Sequence, residues 1–336
     1  MGHSFATFLA LFPFLLYTTS AISKTFTPPS ASDQIKFWSE NVQNEMPKTI
    51  LKKLSPLTQD DCKYYTNMIS NNVKFSADSD FCSIAKLACS SGLEYGLLEK
   101  RRNIYVDEYQ ENKGLDRKIS EADVFSFFRL SMLKNGNMVH LPNLEESLPD
   151  RAFLPSQIAS KITLNIKEMA KLFPGVTKET IEKTLFYCNA AAIKGEVRSC
   201  PKSLEEMINF SKSALGGKKL ISLSSKSTQG SNTELMIKNF KKLNTDKIVA
   251  CHEVFLPFAA YFCHSLSSTN LYSVDLVEPK TGAPVNTLLA ICHMDTSPFP
   301  ENHVVFKILK LKPGQGEACH WFTQIDLAWM LDTESM

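Results

Sequence analysis

The chain has 336 residues, 43% hydrophobic and 21% charged. That is enough apolar material for one large core or two modest ones, and too much for a disordered chain. A net charge of +2 excludes a general polyanion binder and points to no nucleic-acid partner.

Residues 1–23 contain no Lys, Arg, Asp or Glu, and 5–17 are almost wholly apolar. Small residues follow at Thr18, Thr19, Ser20 and Ala21. This reads as a secretory signal peptide over 1–21 rather than an anchor, since a bilayer span needs roughly 20 apolar residues. No second apolar span follows, so the expectation is a secreted, extracellular protein with no membrane contact after cleavage. In an oxidising compartment cysteines pair. There are nine, so at least one stays free, ligates metal or pairs with another chain.

Ile35, Phe37, Trp38 and Val42 have roughly helical spacing, and Pro47 ends the run. Residues 81–90 predict a second short helix. It would hold Cys82 and Cys89 on one face but about 10 Å apart, too far to bridge each other. Residues 99–123 are polar and charged, like a linker. Ser120 as cap, an apolar stripe of Val124, Phe127, Phe128 and Leu133, and Gly136 as stop predict a stronger helix. The main boundary falls near 125, giving a head and linker over 22–124 and a second domain over 125–331.

Ser203 and Glu206 form a capping box that opens a helix to about Ala214, ended by Gly216 and Gly217. That helix carries an acceptor sequon for N-glycosylation, Asn209-Phe210-Ser211. Beyond it come short β-branched and aromatic runs at 248–251, 258–262, 271–277, 288–291 and 304–311, separated by turn residues. They predict a sheet, antiparallel in pairing. The fold class is therefore α+β, a helical head followed by a mainly antiparallel β domain.

Four Cys-His dipeptides lie in this last part: Cys251-His252, Cys263-His264, Cys292-His293 and Cys319-His320. The gaps are ten, twenty-seven and twenty-five residues. Each pair ends or borders a strand-like run, where neighbouring side chains point to opposite faces. If the four imidazoles share one side, the four thiols share the other. The simplest division has the histidines converging on a metal ion and the cysteines forming disulfides. Imidazole without thiolate suits copper(II) or zinc, copper being the stronger by the usual affinity order. A zinc finger is disfavoured, because its cysteines stand two to four residues apart. The competing reading is four structural, hydrogen-bonded histidines.

This spacing resembles the BURP domain of plant secreted proteins. Phe127-Phe128, Leu133-Lys134-Asn135-Gly136-Asn137-Met138, Phe153-Leu154-Pro155 and Lys312-Pro313-Gly314 match its other motifs. So does the run from Gly195-Glu196 to Cys200 and Ser203-Leu204-Glu205-Glu206-Met207, with Cys188 upstream. In the head, Phe37-Trp38-Ser39-Glu40-Asn41-Val42 and the run from Phe81 to Cys89 are similar to the non-catalytic beta-subunit group of plant polygalacturonases. The Phe-Thr-Asn-Tyr-Gly repeat array of that group is missing here. The preferred disulfides pair Cys188 with Cys200 and the four Cys-His cysteines among themselves, leaving one of Cys62, Cys82 and Cys89 over.

The resemblance implies a cell-wall accessory protein that modulates pectin or a polygalacturonase without chemistry of its own. Lysines between 212 and 250, notably Lys218, Lys219, Lys241 and Lys242, would attract a polyanionic pectin chain; an ordinary solvated surface would look the same. The paired-aspartate motif of polygalacturonases is absent, and Asn244-Thr245-Asp246 matches one of their triplets by chance. A second implication is a copper-dependent peptide cyclase using His252, His264, His293 and His320, although no repeated core peptide is evident. The third is a structural or stress-related protein stabilised by metal. Asp295 beside His293 is either a turn cap or a group that orients the ring. His303 is either a fifth metal ligand or a turn residue, with the turn preferred, and His140 reads as structural.

Overall fold

The computed structural model describes residues 29–90, 126–145, 148–243 and 247–332. The signal-peptide and linker expectations, Ser120, Val124 and the 244–246 triplet lie outside them. The helices are α1 (Pro29–Asn41), α2 (Lys48–Leu51), α3 (Gln59–Ser70), α4 (Asp80–Ile84), α5 (Ser156–Ala159), α6 (Ile166–Leu172), α7 (Lys178–Asn189), α8 (Leu204–Leu215) and α9 (Val304–Leu309). The strands are β1 (Phe127–Phe128), β2 (Met138–His140), β3 (Glu196–Ser199), β4 (Leu220–Leu223), β5 (Glu234–Lys242), β6 (Val249–Phe255), β7 (Ala259–Leu266), β8 (Thr269–Val277), β9 (Pro284–His293), β10 (Ala318–Trp321) and β11 (Leu327–Leu331). The fold is α+β, with helices preceding antiparallel sheets.

Two sheets carry the strands, in the orders β1-β10-β9-β8-β5-β2 and β3-β7-β6-β11-β4. Their inner faces meet in one apolar cluster: Ile248, Ala250 and Ala328 from the smaller sheet, Leu271, Leu289 and Ile291 from the larger. The outer face of the smaller sheet is covered by the head and α8. Trp38 and Ile50 pack there with Met207, Tyr261 and Trp329, and the Trp38 and Trp329 rings stand 5.5 Å apart. Every residue of β6 is therefore buried. A strand covered on both faces reads as a continuous apolar run.

The head is tied to the segments that flank the sheets by backbone bonds as well. Phe153 N–H donates to Lys53 O at 2.7 Å and Ala88 N–H to Pro257 O at 2.7 Å. Asn44 acts as a side-chain strand partner at the β4 edge: its amide donates to Ser222 O at 2.7 Å and accepts from Ser222 N–H at 2.9 Å. Glu253 ties both parts electrostatically. Its Oε1 accepts from Lys53 Nζ at 2.8 Å and Arg151 Nη2 at 2.7 Å, with the Glu253 and Arg151 side chains fully buried.

Four local expectations are corrected. Cys82 and Cys89 are bonded to each other, with Cα atoms 6.0 Å apart. The helix stops at Ile84, and Lys86 adopts φ +56°, which folds the chain back so that Leu87 N–H reaches Cys82 O at 2.8 Å. The expected helix ahead of Gly136 is instead β1 and a 3-10 turn over Leu130–Met132. Phe127 and Phe128 enter different apolar clusters, on opposite faces of a strand rather than along one stripe. The 304–311 run is the helix α9, not a strand. Finally, only half of the 203–206 box forms. Ser203 Oγ accepts from Glu206 N–H, but the Glu206 carboxylate takes Lys202 N–H at 2.8 Å.

Candidate metal centre

Cross-strand register sets the site. Cys251 lies opposite Cys263 on β6 and β7, and Cys292 opposite Cys319 on β9 and β10. The structure bonds Cys251 to Cys263 and Cys292 to Cys319, each with Cα atoms 4.0 Å apart. Cys188, on α7, is bonded to Cys200. Cys62 is free and buried. The first pair packs in the cluster under α1 and α8, the second in the cluster under the β1–β2 segment. Both lie on outer faces.

The next residue along each strand turns inward. His264 pairs with Ala250 across the β6–β7 ladder, and His320 with Ile291 across β9–β10. The four imidazoles share the face of the inter-sheet core. They form a ring-to-ring square with centroid separations of 5.6 Å (His252–His264), 6.0 Å (His264–His293), 5.8 Å (His293–His320) and 5.7 Å (His320–His252). Two rings come from each sheet. Phe262, Phe299, Phe322 and Phe127 stand against them at 5.1, 5.5, 5.7 and 6.1 Å.

Each Nδ1 is engaged from outside the square. His252 Nδ1 meets Asp326 Oδ1 at 3.0 Å, His264 Nδ1 meets Glu196 Oε1 at 3.3 Å, His293 Nδ1 meets Thr269 Oγ1 at 3.2 Å and His320 Nδ1 meets Trp321 O at 3.3 Å. Outer partners of this kind orient imidazoles in metal sites, and an ion at this centre would be held through Nε2. Nε2 of His264 is buried with no hydrogen-bond partner among the described residues. A cation there would satisfy it.

Burial favours the neutral form of His264, His293 and His320. Desolvation lowers the pKa of His264, holds His293 well below the ordinary value with help from the neighbouring rings, and brings His320 down to about 3. Neutral imidazole is the form that ligates. On the outer side, burial alone would raise Glu196 and Asp326, but their histidine partners win and both carboxyls titrate low.

The donor set suits a copper(II) or zinc ion in its chemistry. Spacing is slightly wide. Among the described residues no three His, Cys, Asp or Glu donors already stand at chelating distance. Four imidazoles at about 2.0 Å from one ion would have neighbouring centroids roughly 4.5 Å apart in a square and roughly 5 Å apart in a tetrahedron, so each edge would have to contract by about 0.5–1.5 Å.

A pocket of about 260 Å³ opens beside His264, walled by Phe186, Phe262, Phe299 and His303 with Glu196 and Arg198. His303 caps α9, its Nδ1 accepting from Val305 N–H at 3.2 Å. Asp295 caps its own turn, accepting from Ser297 N–H at 2.9 Å, so Thr269 and not Asp295 meets His293. His140 lies on β2, at the far edge of the larger sheet. Asn209 is exposed on α8, and Ser211 of its sequon is buried with its hydroxyl on Met207 O. Lys218 and Lys219 precede β4 in one sheet while Lys241 and Lys242 end β5 in the other; all four are exposed. Sequence reasoning missed Asp326, Glu196 and Thr269, which no spacing connects to the histidines.

A two-sheet domain framed by cross-strand disulfides, with an imidazole centre between the sheets, is the class defined here. The BURP domain model matches residues 126–331, more than half of the chain, and the protein belongs to that family. It is 36% identical over 215 residues to polygalacturonase-1 non-catalytic subunit beta of Solanum lycopersicum, covering 61% of this chain and 34% of that one. The match to polygalacturonase 1 beta-like protein 1 of Arabidopsis thaliana is 35% over 215 residues, with the same coverage. The chain thus spans about a third of the length of these relatives. BURP domain-containing protein 16 of Oryza sativa subsp. japonica matches end to end, at 28% identity over 97% of this chain and 98% of that one.

Proposed function

We propose that this chain is a secreted cell-wall accessory protein that acts on a polygalacturonase, or on the pectin such an enzyme degrades, without catalysis of its own. One observation carries the reading: over 215 residues the chain is 36% identical to a protein named a polygalacturonase non-catalytic subunit. Four disulfides suit an oxidising, extracellular compartment. No helix among the described residues is long and apolar enough to cross a membrane. In this reading His252 and His264 from one sheet, and His293 and His320 from the other, hold a copper(II) or zinc ion that rivets the sandwich. The test is to mix the purified chain with a polygalacturonase and, separately, with polygalacturonate, and follow sedimentation. A complex with either, at micromolar concentration, supports the reading; no complex with both ends it.

A second reading, a copper-dependent peptide cyclase, is favoured by the aromatic-walled pocket beside His264. That pocket is sized for a tyrosine or tryptophan side chain of a peptide. A copper ion would supply one-electron oxidation, with dioxygen taking up the two hydrogens lost. Incubation with copper(II) in air, followed by mass spectrometry, tests it: an unchanged mass for the chain and for added tyrosine-containing peptides rejects it.

A further inference from the structure

Two β-bulges stand side by side on the larger sheet. The β5–β8 register slips between Ile237 and Asn239, leaving Lys238 as the extra residue. The β8–β9 register slips between Leu276 and Val277, leaving Val285 as the extra residue. Bulges re-aim side chains and are over-represented beside binding sites. Both border one groove of about 440 Å³. It shares no lining residue with the pocket at His264.

The far wall of the groove is a loop pinned to β9. Lys226 N–H donates to Thr287 O at 3.1 Å. The Asn286 amide nitrogen donates to Ser227 O at 2.8 Å and to Gln229 O at 3.0 Å. Those two carbonyls fix which end of the amide is nitrogen, so the other end is an oxygen. That oxygen is buried without a partner, on a residue only 8% exposed. A buried amide oxygen left bare costs free energy that a donor would recover, and with under 1 Å² accessible it is reached only if the loop pinned over β9 shifts. Asp275, also in the lining, accepts from Thr287 Oγ1 at 2.7 Å and has acceptor capacity left.

The rim has the opposite character. Lys226 and Lys238 are exposed and have no ion-pair partner among the described residues. Two ammonium groups at the rim call for carboxylates; two acceptors lower down call for hydroxyl groups. Val277, Pro284 and Val285 add an apolar patch. A phosphate-rich polymer would meet Asp275 unfavourably and offer no donor to Asn286. A neutral sugar would leave both ammonium groups unused. We propose that this groove binds an oligosaccharide of hexuronic acids, placing carboxylates on Lys226 and Lys238 and ring hydroxyls on Asn286 and Asp275. The proposal rests on the pectin part of the reading above and locates the binding away from Lys218, Lys219, Lys241 and Lys242.

The probe is trigalacturonic acid, titrated calorimetrically into the full secreted chain, with its fully methyl-esterified form as the uncharged reference. Wild type should bind the acid and prefer it to the ester. Lys226→Ser with Lys238→Ser should weaken binding roughly tenfold for each ammonium group removed. Val285→Trp, which fills the groove without touching a charge, should also weaken it, with thermal melting confirming the fold of each variant. Lys218→Ser with Lys219→Ser should leave binding near the wild-type value. If wild type binds but the groove variants bind equally well, the groove is overturned while the pectin reading stands. If wild type binds no uronate, the groove and the pectin reading fall together.

Discussion

Asp326, in the turn that leads into β11, holds Nδ1 of His252 on the neighbouring β6 at 3.0 Å. The carboxylate is itself fixed, because its other oxygen accepts from both Thr323 N–H and Thr323 Oγ at 2.8 Å. A turn thus locks a carboxylate, which locks a ring at one corner of the histidine square.

Asp326→Asn keeps the size and an acceptor but loses the charge. We expect metal affinity to fall about 10–100-fold, the usual effect of disturbing such a partner. Competition titration with a chromogenic copper or zinc chelator reads this. An unchanged affinity in a folded variant would reduce Asp326 to packing.

Saturating metal should stabilise the protein, since the ligands come from both sheets and the unfolded chain has no such site. At a hundredfold excess over Kd the gain is about 2.7 kcal/mol. His264→Ala should remove the gain, while His140→Ala, on the far-edge strand β2, should retain it. Urea unfolding with metal and with chelator gives both numbers.

The two cross-strand disulfides should act on stability and not on ligation. Replacing Cys251 and Cys263 by Ala opens a twelve-residue separation and should cost about 3 kcal/mol. The sulfurs lie on the outer face, so bound copper should show no thiolate charge-transfer absorption. Such a band would mean that sulfur grips the ion.

The alternation of Cys and His was legible because it is local: in any strand, neighbours flip across the sheet. The helix α8 was legible for a similar reason, with Ser203 at one end and Gly216 at φ +76° at the other. What failed depended on the surroundings. Val304, Val305 and Phe306 are buried in succession, and a short run buried all round has no period to separate helix from strand. The Cys82–Cys89 bond depended on a left-handed Lys86, which no residue type announces. Asp326 lies 74 residues from His252, so only the folded register brings it there.

Glu253 should be the electrostatic pin between head and sheet. It has two cationic partners on Oε1, and its Oε2 is buried with no partner among the described residues. Glu253→Gln leaves two buried cations short of their counter-charge and should destabilise by about 3 kcal/mol. Limited proteolysis should then cut the head first, near Lys53. Uniform loss of protection across the chain would argue against a local pin.

Cys62 should be inert until the head unfolds. Its thiol is buried, 2% exposed, and desolvation with help from Asp61 raises its pKa from 9.0 to about 11. At pH 8 roughly one molecule in a thousand carries the reactive thiolate. Iodoacetamide should therefore leave the native protein unmodified and label one cysteine in urea without reductant. The sign of the pH dependence follows. A folded-state pKa above the unfolded one keeps its stabilising contribution below pH 9 and loses it as pH rises through about 11, because the unfolded thiol gives up its proton first. Cys62→Ala should flatten that alkaline loss of stability in urea unfolding between pH 8 and 11. An identical slope in the variant would place the alkaline sensitivity elsewhere.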